Sequence, residues 1–401
     1  MVIRLKVLMI TQNFYPEIGS ASNRATNIYS ILKAQGHQVT VLTTEPNYPN
    51  RNLYKNESFW DREIPEIDIV RIRLKTRKYT SNLFKRLIYY LEMMLKFVFY
   101  NFKLQKSYDV VFATSPSIFI GIAGVVAKRK QKSTLILDIR DLWPETMLGI
   151  KKFNNPLLLK MAYGLERYLY NRADKITINS EEFTTYMIAH GVPREKLSFI
   201  PNALTEEELE RKDKPTQNES SNVKILYAGN VGLAQDVETL IEIAQRLKTH
   251  QNIEFELVGY GFSMKDIEQK IADRNLKNII VSSAINRKQT LDKIFESDIV
   301  YATLMGSDVF KTVLPGKVID YMGLGKVIVA NASGYCASII KSANCGLVSE
   351  TGNLDELCGF ILRLAESPQL RFELGKNGHH YAKAKFNWAI NSKTLLEVFK
   401  K

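Results

Sequence analysis

The sequence predicts an α/β protein of two similar domains, each a parallel β-sheet covered by helices. The length of 401 residues exceeds what one hydrophobic core usually supports. Short apolar runs alternate with segments of helical spacing, as in βα units, and this alternation restarts after a polar, acidic stretch. We therefore expect a first domain at 1–204, a linker at 205–222 and a second domain at 223–384.

Eleven apolar runs have the length of buried strands. In the first domain they are Leu5–Ile10, Val39–Leu42, Ile67–Ile72, Val110–Ala113, Thr134–Leu137 and Ile176–Ile178. In the second domain they are Lys224–Ala228, Phe255–Val258, Ile279–Val281, Ile299–Ala302 and Val327–Ala330. Ligands of parallel sheets bind beyond the carboxyl ends of the strands, so we expect a site in a central cleft that both domains face.

The composition, with 45% hydrophobic and 24% charged residues, is that of a folded soluble protein. The three cysteines, Cys336, Cys345 and Cys358, are an odd number without ligand-like spacing, and the five histidines do not cluster in the sequence. We therefore predict a reducing compartment, no disulfide framework and no structural metal. No run reaches the roughly 18 uncharged apolar residues that a bilayer span requires.

The positive charge is concentrated in the first half. Residues 1–200 carry 30 Lys and Arg against 17 Asp and Glu, whereas residues 201–401 carry 25 of each. Ten of the basic residues lie in Arg71–Lys106, where Glu92 is the one acidic residue. Apolar side chains recur there at helical spacing: Leu83, Phe84, Leu87, Ile88, Leu91, Met94, Leu95, Val98, Phe99 and Phe102. Such a basic amphipathic helix is typical of proteins on an anionic membrane surface, which predicts a cytoplasmic protein on the inner face of the cell membrane.

Two other interpretations of Arg71–Lys106 are open. Its apolar face could pack on the core of the first domain, which is compatible with membrane binding. A basic patch also suits nucleic acid, but no nucleic-acid motif accompanies the charge, so we expect no such partner.

The stretch Val313–Gly325 has the features of an anion site. A turn at Pro315 and Gly316 precedes a helical segment that begins with Lys317. Exposed backbone N–H groups, a helix N-terminus and a lysine together suit a diphosphate. Asp320 lies about one helical turn later, where it could accept hydrogen bonds from a ribose diol. The alternative is an ordinary helix with solvated charges.

The loop after the first strand carries candidate binding residues. Gly19 allows close backbone approach, and Arg24 offers a fork for a carboxylate or phosphate. Ser20 or Ser22 could cap the helix that follows. Glycine turns between strand and helix are common, so an ordinary turn is the alternative.

A second loop, Asp138–Glu145, holds three carboxylates, one arginine and one tryptophan after a strand. Trp143 could stack on a sugar ring while Asp141 or Glu145 accepts hydroxyl hydrogen bonds. The alternative is a structural cap with an Asp–Arg pair; functional residues often occupy such loops.

The second domain opens with a glycine loop. Gly229 and Gly232 let backbone amides approach a phosphate, and the next helix presents its positive end. The loop is not G-x-G-x-x-G, so a dinucleotide-binding signature is absent. Gly259, after the next strand, could contact a nucleobase or ribose, or could only form a turn.

These motifs together resemble family 4 glycosyltransferases of the two-domain GT-B type. The matching segments are I-P-N-A-L at 200–204, Y-A-G-N-V-G at 227–232, L-V-G-Y-G at 257–261 and L-P-G-K-V-I-D-Y-M-G-L-G at 314–325. D-I-R-D-L-W-P-E at 138–145 is similar to a narrower group of bacterial capsule and O-antigen enzymes, staphylococcal ones among them. That group moves N-acetyl-L-fucosamine from a UDP-sugar to a lipid-linked acceptor. F-N-W at 386–388 resembles the closing element of the family, whose last helix, at about 385–401, would complete the first domain.

The resemblance implies a retaining transfer without metal or cofactor, from a UDP-N-acetyl sugar to a saccharide on polyprenyl diphosphate. The donor would contact Gly229, Asn230, Gly232, Gln235, Gly259, Arg287, Leu314, Pro315, Gly316, Lys317 and Asp320. The acceptor would contact Gly19, Ser20, Arg24 and Trp143. Asp141, Glu145 and Lys317 would serve the chemistry, in which positive groups stabilise the leaving diphosphate.

The chain departs from the family pattern near the expected donor site. The family usually has two glutamates eight positions apart, but here Thr312 and Asp320 occupy those places. The basic residue that commonly follows the glycine loop is also absent. Phosphate neutralisation would then fall to Lys317, Lys311 or Arg287.

Two other functions are compatible with the sequence. A UDP-sugar epimerase can share the architecture, but it has no lipid acceptor and the basic helix would be superfluous. A non-enzymatic membrane-surface protein would keep that helix but would need no paired glycine loops.

Overall fold

Two parallel sheets organise the chain in this computed structural model, which describes residues 4–76, 83–115, 117–149, 155–211, 222–232 and 234–400. The first unit comprises residues 1–201 and 392–401, and the second comprises residues 202–391. The predicted linker at 205–222 begins within the second unit, and its residues 212–221 lie outside the described part of the chain.

The sheet of the first unit has the strand order β3-β2-β1-β4-β5-β6-β7, and every neighbouring pair is parallel. Among the described residues the strands are β1 Lys6–Thr11, β2 Gln38–Thr44, β3 Ile69–Ile72, β4 Val110–Thr114, β5 Thr134–Ile139, β6 Lys175–Ile178 and β7 Leu197–Phe199. The helices are α1 Ser20–Ala34, α2 Leu83–Lys103, α3 Ile118–Gln131, α4 Glu145–Gly149, α5 Pro156–Arg172 and α6 Phe183–Ala189. Helices cover the sheet, so β1 is a continuous apolar run whose residues Val7–Ile10 have no exposed surface.

The sheet of the second unit repeats this plan in the order β10-β9-β8-β11-β12-β13, again with parallel neighbours. Its strands are β8 Val223–Asn230, β9 Ile253–Tyr260, β10 Ile279–Ser282, β11 Ile299–Thr303, β12 Val327–Asn331 and β13 Gly346–Ser349. Its helices, again within the described residues, are α7 Glu206–Leu209, α8 Glu238–Arg246, α9 Met264–Asp273, α10 Arg287–Glu296, α11 Gly316–Gly323, α12 Tyr335–Ser342, α13 Leu354–Glu366 and α14 Pro368–Lys385.

The last helix, α15 Trp388–Phe399, starts in the second unit, and its residues from Ser392 belong to the first. Phe399 stacks on Phe112 of β4, with ring centroids 5.8 Å apart. None of the helices in the described ranges is long and apolar enough to cross a membrane.

The structure confirms the predicted fold class and all eleven predicted strands, and it adds β7 and β13. Both sheets reverse their strand order once, between β1 and β4 and between β8 and β11. Ligands of parallel sheets bind at the carboxyl ends next to such a reversal. Ligand contacts are therefore expected in the loops after β1 and β4 and after β8 and β11, and the candidate loop after β5 follows the strand next to β4.

Candidate active site

The start of α11, in the second unit, has no side-chain cap. The helix begins at Gly316 after Pro315, whose backbone is extended with φ −63° and ψ 137°, and no side chain caps it. The first amides of a helix have no partner inside the helix, and they lie at the positive end of its dipole. This confirms the helix that the sequence predicted at Lys317; the amide of Val318 donates to the carbonyl of Pro315 at 3.0 Å, and a phosphate at the amides of Gly316 and Lys317 stays a prediction.

The amine of Lys317 lies in this first turn. Its Nζ is 3.7 Å from the ring centroid of Tyr227. That Nζ is buried, and it has no hydrogen-bond partner within the part of the chain that the structure describes. Burial lowers the pKa of Lys317 to about 7. A buried ammonium without a counter-charge is unfavourable, so a bound anion would supply the missing partner.

Glycines bring the neighbouring loops close to this amine. Gly229, the last residue but one of β8, has φ 129°, and a Cβ built on it would lie 3.3 Å from Cε of Lys317. Gly261 also has φ 129°, and a Cβ there would lie 2.4 Å from Oδ1 of Asn230. A side chain at either position would need both a rare backbone conformation and space that its neighbour occupies. At Gly259 only the space is missing, because a Cβ would meet the side chain of Met264 at 2.7 Å.

Backbone groups of Asn230, Val231 and Gly232 already have hydrogen-bond partners inside the protein. The amide of Gly232 donates to Oε1 of Gln235 at 3.2 Å, and the amide of Val231 donates to the carbonyl of Tyr260 at 2.7 Å. The carbonyl of Asn230 accepts a hydrogen bond of 2.6 Å from the Tyr227 hydroxyl. The predicted phosphate contact of Gly232 would therefore have to displace Gln235, and donor binding by either residue stays a prediction.

Arg287 is paired with two carboxylates, and the expectation that it neutralises a phosphate stays a prediction. Its Nη1 and Nη2 donate to the two oxygens of Asp320 at 2.6 and 2.8 Å, and its Nε donates to Glu208 at 2.9 Å. Burial alone would lower the pKa of Arg287, but the two carboxylates outweigh burial, and the net pKa lies above its ordinary value. Burial raises the pKa of Asp320, and Arg287 opposes that shift. Each carboxylate oxygen of Asp320 keeps a lone pair for a ribose hydroxyl.

Glu208 is the member of this cluster that the sequence prediction missed. It belongs to a capping box at the start of α7, in which Thr205 and Glu208 bond each other's backbone N–H groups at 3.2 and 3.0 Å. The signal was the T-x-x-E pattern in a stretch interpreted as linker.

The side chains of Leu314 and Thr312, near the start of α11, are turned to the protein itself. Leu314 is buried in the apolar core of the second unit, so its predicted donor contact falls to its main chain. The hydroxyl of Thr312 donates to the carbonyl of Val309 at 2.7 Å.

In the first unit, α1 also starts without a side-chain cap. Gly19 is its N-cap residue with φ 108°, and no side chain bonds the free amides. The predicted capping by Ser20 or Ser22 is therefore wrong. Ser20 is exposed at this helix start, and its acceptor contact, like that of Gly19, stays a prediction.

Arg24 is a structural residue in this unit. It is 2% exposed and Asp138 is fully buried; its Nη2 and Nε donate to the Asp138 carboxylate at 2.8 and 3.0 Å. Thr114 and Thr177 donate to the same carboxylate at 2.8 and 2.7 Å. Burial would raise the pKa of Asp138, but Arg24 and the threonines keep it below its ordinary value. The position of Arg24 does not support the predicted acceptor contact.

The other first-unit candidates lie after β5. Asp141 follows the strand closely, and burial raises its pKa. Trp143 is partly exposed, and Glu145 begins α4 and accepts a hydrogen bond of 2.5 Å from the Tyr163 hydroxyl. Their roles in acceptor binding and chemistry stay predictions.

Glu17 is a buried acid that no sequence pattern indicated. It is 7% exposed and accepts hydrogen bonds from the amides of Asn47 and Tyr48 at 2.6 and 2.8 Å and from Nδ2 of Asn13 at 2.7 Å. Burial raises its pKa to about 7. The side chain joins the loops after β1 and β2, and so fixes the approach to α1.

Comparison with known families decides the class of this protein. A family described as "Glycosyl transferase 4-like domain" matches residues 19–203, and one described as "Glycosyl transferases group 1" matches residues 208–381. The chain belongs to the GT-B glycosyltransferases. One similar curated protein is the Escherichia coli colanic acid biosynthesis glycosyl transferase WcaI, 25% identical over an alignment of 348 residues that covers 82% of this chain and 84% of WcaI.

Solved structures share the fold of this GT-B glycosyltransferase. Sucrose-phosphate synthase from Thermosynechococcus elongatus aligns with a TM-score of 0.73 at 16% identity, over 99% of this chain and 98% of that one. Anabaena Alr3699/HepE, solved in complex with UDP-glucose, aligns with a TM-score of 0.70 at 15% identity, over 99% of both chains.

Proposed function

We propose that this glycosyltransferase moves an N-acetylated sugar, N-acetyl-L-fucosamine first of all, from a UDP-sugar to a saccharide on polyprenyl diphosphate, in the synthesis of a capsule or other surface polysaccharide. The name of the WcaI relative supports a polysaccharide product. The UDP and UDP-glucose complexes of HepE support a uridine diphosphate donor.

One observation carries the donor half of the proposal: the buried amine of Lys317, without a partner among the described residues, lies at the uncapped start of α11. The donor diphosphate would lie against the amides of Gly316 and Lys317 and beside Gly229. Asp320, held in place by Arg287, would accept hydrogen bonds from the ribose. This arrangement would supply positive charge to the leaving group without a metal or cofactor.

The proposed reaction retains the anomeric configuration. The acceptor hydroxyl attacks the anomeric carbon from the face that the diphosphate leaves, so one C–O bond forms as the other breaks. The acceptor proton moves to the departing diphosphate oxygen, whose charge Lys317 stabilises. Asp141 and Glu145 would accept hydrogen bonds from sugar hydroxyls, and Trp143, with Gly19 and Ser20, would contact the acceptor.

The acceptor half of the proposal depends on α2. At 100° per residue, its buried side chains Tyr89, Met93 and Phe97 lie on one side of the helix. The opposite side carries six exposed apolar residues: Leu87, Ile88, Leu91, Leu95, Phe99 and Phe102. Packing on the core therefore accounts for one face only.

The charges of α2 favour an anionic membrane as the partner of the exposed face. Lys85, Lys96 and Lys103 lie along one flank of the apolar face, as helix geometry requires of positions separated by 11 and 7 residues. Glu92, the acidic residue of α2, is ion-paired with Lys96 at 2.8 Å, so the flank keeps the positive charges of Lys85 and Lys103. We therefore propose that the protein docks on the inner face of the cell membrane, where a lipid-linked acceptor is held.

The function is tested by incubating the protein with a panel of UDP-N-acetyl sugars, with and without a lipid-linked monosaccharide. We expect UDP release that requires the acceptor and is fastest with UDP-N-acetyl-L-fucosamine. Conversion of the donor sugar without acceptor would instead support an epimerase. Absence of nucleotide binding would contradict the proposal.

Docking is tested with a variant in which Lys85, Arg86, Lys96 and Lys103 are changed to Gln. We expect it to stay folded and to lose co-sedimentation with anionic vesicles, because each basic residue near the surface contributes about 1 kcal/mol. The matched control removes four exposed lysines of the second unit: Lys248, Lys265, Lys277 and Lys376. Equal binding by both variants would exclude α2 as the docking element.

A further inference from the structure

Helix α5 exposes an apolar stripe that the fold does not use. Leu157 is 68% exposed and Met161 is 63% exposed, with Leu158 and Tyr168 also at the surface. At 100° per residue these four side chains fall within about 100° of arc. Glu166 and Tyr170, two of the buried residues of α5, lie on the other side of the helix, and the buried Leu169 lies at the edge of the stripe next to Leu158. The stripe therefore faces outward, as the apolar face of α2 does.

The exposed charges that α5 itself carries beside this stripe are all basic. Lys160 and Arg167 are exposed and lie along one flank, seven residues apart. At the other end of the helix, Arg172 lies over the ring of Tyr168, 5.3 Å from its centroid. Glu166 is the acidic residue of α5, and it is 3% exposed. An exposed apolar stripe with basic and no acidic neighbours on its own helix is complementary to anionic lipid headgroups over acyl chains.

The stripe also continues the face of α2 across α3. Tyr90 of α2 stacks on Phe119 of α3, with centroids 6.1 Å apart. On its other side α3 packs closely on α5, since a Cβ on Gly121 would lie 2.8 Å from Cδ1 of Leu169. The three helices thus form one layer over the first sheet, and the two outer helices both carry outward apolar residues.

We propose that the outward face of α5 is a second contact with an anionic membrane, so that the first unit docks through two helices. This inference rests on the docking proposed for α2. Two separated contacts fix the orientation of the helical layer against the lipid plane, whereas one helix would let the protein rotate about the helix axis.

The test compares full-length variants for co-sedimentation with phosphatidylglycerol vesicles. Leu157→Ser with Met161→Ser is expected to weaken vesicle binding by about tenfold or more, because two side chains no longer enter the lipid. Phe372→Ser is the matched control, since Phe372 is 67% exposed on a helix of the second unit. Lys160→Glu with Arg167→Glu changes no apolar contact and is also expected to weaken binding, with a smaller dependence on salt than the wild type.

The outcomes separate the two proposals. Unchanged binding of both α5 variants, together with loss of binding in the α2 variant, would overturn the second contact and leave docking by α2 intact. Unchanged binding of the α2 variant would overturn docking by α2 itself. A wild-type dimer in lipid-free solution that Leu157→Ser with Met161→Ser converts to a monomer would show that a second copy covers this face, which would also overturn the inference.

Discussion

Replacing Lys317 by methionine should raise stability and lower nucleotide affinity. Methionine keeps most of the length and the contact over Tyr227 but removes the charge. In the free protein, burial lowers the pKa of Lys317 from 10.5 to about 7. The folded state therefore favours the neutral amine. The loss of folding stability caused by burying Lys317 is absent above pH 10.5, grows as the pH falls towards 7, and is constant below pH 7. One pKa unit corresponds to about 1.4 kcal/mol, and after allowance for solvent relaxation we expect the variant to be about 1–3 kcal/mol more stable at pH 7.

The same change removes a charge-assisted hydrogen bond to the diphosphate. Such a bond contributes about 1.5–3 kcal/mol, so the Kd for UDP should rise by about 10- to 150-fold. Urea unfolding would measure stability, and isothermal titration calorimetry would measure affinity. The matched control is Lys326→Met, which removes a lysine of the same unit whose pKa burial lowers to about 8 and whose Nζ donates to the carbonyl of Ser297 at 2.8 Å.

The prediction is demanding because Lys317→Met must gain folding stability and lose affinity for UDP at the same time. An unchanged Kd for UDP would remove Lys317 from the donor site. An equal loss of affinity in Lys326→Met would show a general loss of structure. If Lys317→Met also lost stability, the amine would have a partner in the free protein and the account of its pKa would fail.

Three other predictions follow from the same geometry. Gly229→Ala should raise the donor KM about tenfold or more and destabilise the second unit, because it combines φ 129° with a Cβ 3.3 Å from the lysine side chain; steady-state kinetics and urea unfolding would check both. Arg287→Lys should weaken UDP binding more than 2′-deoxy-UDP binding, because a lysine cannot hold both oxygens of Asp320; equal loss for both nucleotides in calorimetry would contradict this. Asp138→Asn should lower the free energy of unfolding by about 3–5 kcal/mol in urea, because it leaves Arg24 buried without its counter-charge.

The architecture was predictable from the sequence because parallel strands that are covered by helices on both faces appear as continuous apolar runs. The two strands that escaped prediction are short and weakly apolar: Leu197–Phe199 has three residues and Gly346–Ser349 begins with glycine. Both are edge strands, and each is defined by pairing with one neighbour, β6 or β12. Local pattern carries little information about such strands.

The parts of the site formed by local backbone structure were predictable from the sequence. Side-chain pairs between residues far apart in the sequence were less predictable. The helix at Gly316–Gly323 followed from local signals alone. The carboxylate partners of Arg24 and Arg287 were not predictable because they lie 114 and 33 residues away, and residue type does not reveal which carboxylate a guanidinium will meet. Glu17 was missed for the same reason, since its acceptor role depends on amides 30 residues further along.

The most direct test of the central claim is a crystal structure of the full chain with UDP. We predict the diphosphate at the start of α11, against Gly316 and beside Gly229, with Nζ of Lys317 within hydrogen-bond distance of a phosphate oxygen and Asp320 on the ribose. A nucleotide bound elsewhere, with the amine of Lys317 still over the ring of Tyr227 and without a phosphate partner, would contradict it.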